Sequence, residues 1–159
     1  MRKLKLYVET SVWNFLFADD APEKKEATEK FFAEVETGKY EIFISETVIF
    51  EIDAANPEKR NLLLETIARY NPATLETNQD VRTLVEKYLE YGLLSEKHFR
   101  DIQHIAHGAA HGMRAIVSWN QKHIVKMKTY DLVNAANMSL GYHVIQIWTP
   151  QEVIEDGRN

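Results

Sequence analysis

The chain has 159 residues, 45% of them hydrophobic and 27% charged, which is the composition of one ordinary globular domain with a single sizeable core. A formal net charge of -5 argues against a protein that holds nucleic acid by the field of its whole surface, though a local basic patch is still allowed. With no cysteine, disulfides and thiolate metal sites are excluded, and a reducing compartment is permitted, so cytoplasm is the expected location.

The first element is "KLKLYVE", residues 3–9, an apolar run that reads as a buried strand and stops at Glu9. Thr10 and Ser11 follow. The N-terminus carries early positive charge, but Glu9 and Asn14 interrupt its apolar run and no small-residue cleavage site follows, so a signal peptide is not expected. "YEIFIS", residues 40–45, alternates in the manner of a second strand and leads into "SETVIFEIDAA". There Val48, Ile49 and Ile52 form an apolar face that Glu51 interrupts, while Glu46 and Asp53 read as solvated. A buried carboxylate must be paired, protonated or bound to a metal.

Asn56-Pro57 is a cap followed by proline at the first helical position, and Ser95 is placed to cap a helix through "EKHFRDIQHIAHGAAHG". Asp101 falls in the first turns of that helix, where an anion is favoured on electrostatic grounds alone. His104, His107 and His111 share one of its faces, and imidazoles at such spacing suit zinc or another transition metal. Gly108 and Gly112 and the lack of cysteine weaken that reading, and His104 is equally placed to orient Asp101 or to pack in the core.

"RAIVSWN", residues 114–120, reads as another strand and "YHVIQIW", residues 142–148, as a fourth. Between them "KHIVKMK" brings Lys122, His123, Lys126 and Lys128 together, either as a solvated edge or as a source of phosphate contacts. Thr149-Pro150-Gln151-Glu152 is a capping box, and Gly38, Gly92 and Gly141 fall where helices should stop. No apolar run approaches the roughly 20 residues needed to cross a bilayer.

Strand and helix alternate, which predicts an α/β domain with a largely parallel sheet. In such a sheet ligands bind beyond the carboxyl ends of the strands, so Glu9 and Asn120, both strand-ending residues, are candidate neighbours. Ser11, Ser118 and the histidines supply parts of a Ser-His-Asp hydrolase, but there is no GxSxG elbow. A Gly-rich phosphate loop is also missing, so a nucleotide cofactor is not expected.

Glu9 followed by "TSVWN", Glu51 within "SETVIFEI", Asp101 within "DIQHIA" and the strand end "IVSWNQKH" stand in the order seen in PIN-domain nucleases. The chain resembles their VapC-like subgroup, whose last motif is SWNxxH. The resemblance implies a three-layer α/β/α domain over residues 1–155 with a short tail at 156–159. It also implies an acidic pocket in which Glu9, Glu51 and Asp101 hold Mg2+ or Mn2+ and Asn120 adds a neutral oxygen. The implied activity is endoribonuclease cleavage by metal-activated water, as the toxin of a type II toxin-antitoxin pair. RNA is then the substrate, an antitoxin and a second copy of the chain are partners, and no membrane is involved.

The resembling family normally has aspartate where this chain has Glu9. The extra methylene predicts a carboxylate displaced by roughly 1 Å and slow cleavage, or a domain that binds RNA or protein without cutting. Thr10, Ser11 and Ser118 are expected to hydrogen-bond the acids, His104 to support them, and Lys122 and His123 to meet substrate. Trp13 and Trp119 either stack on unpaired bases or belong to the core.

Overall fold

The computed structural model describes residues 3–156. Five strands form one sheet: β1 (Leu4–Val8), β2 (Tyr40–Ser45), β3 (Ala73–Leu75), β4 (Ala115–Val117) and β5 (Gln146–Trp148). Their order is β3-β2-β1-β4-β5 and every pairing is parallel. Parallel neighbours need crossover connections, and helices provide them. These are α1 (Thr10–Phe15), α2 (Pro22–Glu36), α3 (Glu46–Asp53), α4 (Pro57–Tyr70), α5 (Gln79–Glu90), α6 (Phe99–Ala110), α7 (Met127–Ser139) and α8 (Pro150–Asp156).

β1 lies at the centre and Leu6, Tyr7 and Val8 are fully buried, as are Ala115, Ile116 and Val117 of β4. Strands covered on both faces must be apolar throughout, which is why both read as continuous apolar runs. Helices α2 and α8 pack together, as do α5 with α6 and α7, giving the expected three-layer α/β/α arrangement. No helix among the described residues is long and apolar enough to cross a membrane.

The order of strands fixes where a ligand site can form. From β1 the chain moves outward to β2 and β3, then returns to the other side of β1 to build β4 and β5. The crossovers leaving β1 and β4 therefore diverge, opening a crevice beyond their carboxyl ends. Glu9 follows β1 and Ser118 to Asn120 follow β4, so both segments sit at that crevice.

Several local expectations need correction. β3 had no strand signal: it is a three-residue edge strand just after Asn71-Pro72, with Asn71 in the left-handed region at φ 49° ending α4. β4 stops at Val117 instead of residue 120: Ser118 N–H still donates to Trp148 O at 2.9 Å, but the two backbone donors after it leave the ladder for side chains. Trp119 N–H donates to Ser11 Oγ at 2.8 Å and Asn120 N–H to Ser118 Oγ at 2.9 Å. β5 likewise covers only the end of the expected segment. Ser95 does not cap α6; its carbonyl accepts the His98 N–H at 2.9 Å across a 3-10 turn, Glu96–His98, and α6 starts after it. The expected tail at 156–159 lies outside the described residues except for Asp156, the last residue of α8.

Gly108 sets how closely α6 approaches the sheet. A Cβ there would run into Ile116 Cδ1 and come within 3.2 Å of Ile145 Cδ1. Gly108→Ala gains about 1 kcal/mol of helix propensity but overpacks a filled core at a cost of about 1–3 kcal/mol. Chemical denaturation should therefore show a neutral or destabilising change in the native background. In an Ile116→Val background, which lacks Cδ1, the same substitution should become stabilising.

Candidate functional site

The first carboxylate of the crevice is also a helix cap. Glu9 extends β1 by one bond, its N–H donating to Val117 O at 3.0 Å, and then serves as N-cap of α1. Its Oε2 accepts from Ser11 N–H at 3.0 Å, and its Oε1 accepts the Ser11 and Ser118 hydroxyls, each at 2.5 Å. Glu9 is only 5% exposed. Donors from both sides of the crevice replace the water such a carboxylate loses. Ser11 and Ser118 are thus the hydrogen-bonding supports the sequence suggested, and together they tie the β1–α1 turn to the end of β4.

Glu51 reaches the same place from α3. Thr10 Oγ1 donates to its Oε1 at 2.6 Å, and His104 Nε2 on α6 approaches the same oxygen at 2.5 Å. A carboxylate only accepts, so Nε2 carries the proton in that contact. His104 is fully buried, and its Nδ1 lies 2.6 Å from the Tyr7 hydroxyl, which in turn contacts Ser45 Oγ at 2.7 Å. Ser45 also caps α3 by accepting the Thr47 N–H at 3.2 Å. A continuous chain therefore runs Ser45, Tyr7, His104, Glu51, Thr10 through the sheet centre. Burial pushes the Tyr7 phenol well above its ordinary pKa, so it stays a neutral donor.

His104 Nε2 is also 3.9 Å from Glu9 Oε2, so the imidazole stands between the two acids. One ligand atom each from Glu9, Glu51 and His104 lies within 4.8 Å of the other two, a spacing that a single divalent cation spans. Burial raises the Glu51 carboxyl, but the His104 hydrogen bond and charge, with Thr10 and Arg100, outweigh it and leave Glu51 below the usual range.

Asp101 sits in the first turn of α6 at the same sheet edge. Burial, then the Glu9 charge, push its carboxyl above the ordinary value; His104 and His123 oppose this, and Glu51 adds to it. Its carboxyl therefore senses both acids of the first group, although its metal-capable neighbours are His98 and His123. Asn120 Nδ2 donates to Asp101 Oδ1 at 3.2 Å.

The structure thus brings all four expected residues to one edge, with two changes of role. Asn120 does not turn its oxygen toward the acids: Oδ1 accepts the His123 N–H at 3.1 Å, pinning the loop after β4, and the amide nitrogen holds Asp101. His104 pairs with Glu51 instead of Asp101, because α3 delivers a carboxylate directly to its Nε2.

The histidine triplet does not form a site. His107 Nδ1 lies 2.8 Å from the Gln103 carbonyl and Nε2 2.9 Å from Thr77 Oγ1, while His111 Nε2 lies 2.8 Å from the Glu76 carbonyl. Each ring is engaged by a separate partner, and burial holds the His107 imidazole below its ordinary pKa. Trp13 and Trp119 are core residues, not stacking platforms: both are buried, with indole N–H groups donating to Val8 O at 3.3 Å and Thr28 Oγ1 at 2.8 Å. Lys122, Lys126 and Lys128 are exposed, beyond Asn120.

Tyr7, Ser45 and His98 were missed. Tyr7 carried a readable signal, since a phenol inside an otherwise apolar buried strand must find a polar partner. Ser45 ends its strand at the same sheet edge as Glu9, and His98 precedes Asp101 by one helical turn.

The depressed Glu51 carboxyl makes a stability prediction. A group whose folded pKa lies below its unfolded value adds stability that is present above the unfolded pKa and is lost as pH falls through the folded one. Native protein should exceed Glu51→Gln in stability at neutral pH, and the gap should close below about pH 4. Urea melts of both proteins across that range check it; a gap independent of pH would contradict the ionised pairing.

No protein-family model matches the chain, and the curated proteins give no match either.

Proposed function

We propose that the chain is a PIN-like, metal-dependent endoribonuclease that acts in the cytoplasm as the toxin of a toxin-antitoxin pair, with Mg2+ or Mn2+ as cofactor. The observation that carries the reading is the placing of Glu9, Glu51 and His104 within 4.8 Å at the sheet's switch point, beside an Asp101 carboxyl that feels both acids. Burial and then the Glu9 charge raise the Asp101 carboxyl, and a cation held beside these acids would relieve that cost.

The carboxylates suit Mg2+ or Mn2+ with water completing the shell, and His104 would join them only with its proton on Nδ1, facing the Tyr7 hydroxyl, in place of Nε2. A bound ion would activate water and neutralise the scissile phosphate. In this reading Glu9 and Glu51 would hold the ion, with Ser11, Ser118 and Thr10 fixing their oxygens. Asp101, positioned by Asn120, completes the negative cluster. Exposed Lys122, Lys126 and Lys128 meet the RNA backbone beyond it, which supplies local attraction that the net charge of -5 does not. An antitoxin protein and a second copy of the chain are proposed partners.

The runner-up is a domain that holds RNA or a protein but cleaves little. It draws on Glu9, whose two oxygens already accept three hydrogen bonds, and on Asn120, whose oxygen is engaged by the His123 backbone. Total cellular RNA incubated with the protein and increasing Mn2+ or Mg2+ separates the two. Fragments that appear with metal, vanish with EDTA and are missing with Glu51→Gln support the nuclease; retained RNA without cleavage supports the runner-up.

A further inference from the structure

A second cluster of metal-capable side chains adjoins the first. His98 precedes α6, Asp101 lies in its first turn, and His123 belongs to the loop between β4 and α7; one ligand atom from each lies within 4.8 Å of the others. The two imidazole rings have centroids 3.9 Å apart at an interplanar angle of 36°. His98 Nδ1 is 3.9 Å from Asp101 Oδ2, too far for a hydrogen bond.

Neither ring makes a hydrogen bond among the described residues, although both are partly buried. This sets them apart from His104, His107 and His111, each of which has a hydrogen-bonding partner. The frame around them is fixed. Asn120 binds Asp101 Oδ1 at 3.2 Å and the His123 N–H at 3.1 Å, and Thr129 Oγ1 donates to the His123 carbonyl at 2.8 Å. Asp101 Oδ2 is thereby left on the side of His98.

Two imidazoles and one carboxylate are a donor set that favours zinc and its neighbours over magnesium. We infer that His98, Asp101 and His123 form a binding site for a zinc-class divalent ion, separate from the Glu9–Glu51–His104 group and touching it only through Asp101. The inference does not depend on nuclease activity. An ion held there would offset the charge of Asp101 and so ease its repulsion with Glu9 and Glu51.

The test is calorimetric titration of the full chain with Zn2+, with Co2+ absorption as a spectroscopic probe of ligand geometry. His98→Gln and His123→Gln should each weaken binding by more than about 10-fold. Glu51→Gln, which removes no ligand of this second group, should leave the Zn2+ affinity within about 3-fold. Far-UV circular dichroism verifies the fold of each variant, and because the two histidines lie on different elements, either variant alone suffices if the other melts. No Zn2+ binding by the native chain, binding untouched by both histidine substitutions, or a loss that follows Glu51→Gln instead would overturn the assignment.

Discussion

Asp101→Asn is expected to lower metal-dependent RNA cleavage by on the order of 100-fold or more while making the fold more stable at neutral pH. The two effects have one origin. Burial and the nearby Glu9 charge hold the Asp101 carboxyl above its ordinary pKa, so the ionised form costs the folded state energy. A carboxyl raised on folding contributes stability that is full below its unfolded pKa and is lost as pH rises through the folded value. The asparagine variant should thus gain most above that value, and its advantage should disappear in acid. An acid kept at such a cost, in a crevice with two others, is the signature expected of a functional group. Cleavage kinetics beside urea melts at several pH values read both quantities. Loss of cleavage accompanied by loss of stability would make Asp101 a structural residue, and unchanged cleavage would remove it from the reaction.

Glu9→Asp is expected to accelerate cleavage, by up to about 100-fold, with the fold retained. Aspartate is among the best N-caps and can still accept the Ser11 N–H, so α1 should keep its start. Its shorter side chain withdraws the carboxylate by roughly 1 Å from the position where glutamate meets both hydroxyls. Glu9→Gln separates reach from charge, because it keeps the length and removes the anion that faces His104 Nε2 at 3.9 Å. It should weaken Mn2+ binding, whereas Glu9→Asp should not. If Glu9→Asp is slower than the native protein, Ser11 and Ser118 have already set glutamate in the productive position.

Much of this arrangement is legible in the sequence because local rules and tertiary packing agree. The capping box before α8 forms as written, with Thr149 N–H donating to Glu152 Oε1 at 3.0 Å and Glu152 N–H to Thr149 Oγ1 at 3.1 Å. Asn56 caps α4 by accepting the Lys59 N–H at 2.9 Å. β1 stands out because the buried end of a central parallel strand, Leu6 to Val8, is apolar on both faces, and β2 because it alternates. β3 does not, since three residues at an edge carry no period.

The site residues were readable for a different reason: Glu51 breaks an apolar run, and Glu9 and Asn120 close the apolar runs that read as strands. What the sequence could not supply is partner choice across elements. His104 lies one turn from Asp101 on the same helix face, yet it binds Glu51, which another helix brings in. Thr10 likewise serves Glu51 and not its neighbour Glu9. Trp119 follows a strand end and looked available to a base, but its ring packs tilted on Phe15, at 5.9 Å between centroids, and its indole N–H is held by Thr28.

Calorimetric titration of Mn2+ into the native chain and into Glu51→Gln decides whether Glu9 and Glu51, with His104 between them, hold a divalent cation. Saturable binding to the native protein is expected, competed by Mg2+ and weakened by more than about 10-fold in the variant, which loses one anionic ligand. Mn2+ binding of equal strength in both proteins, or none in either, would contradict it.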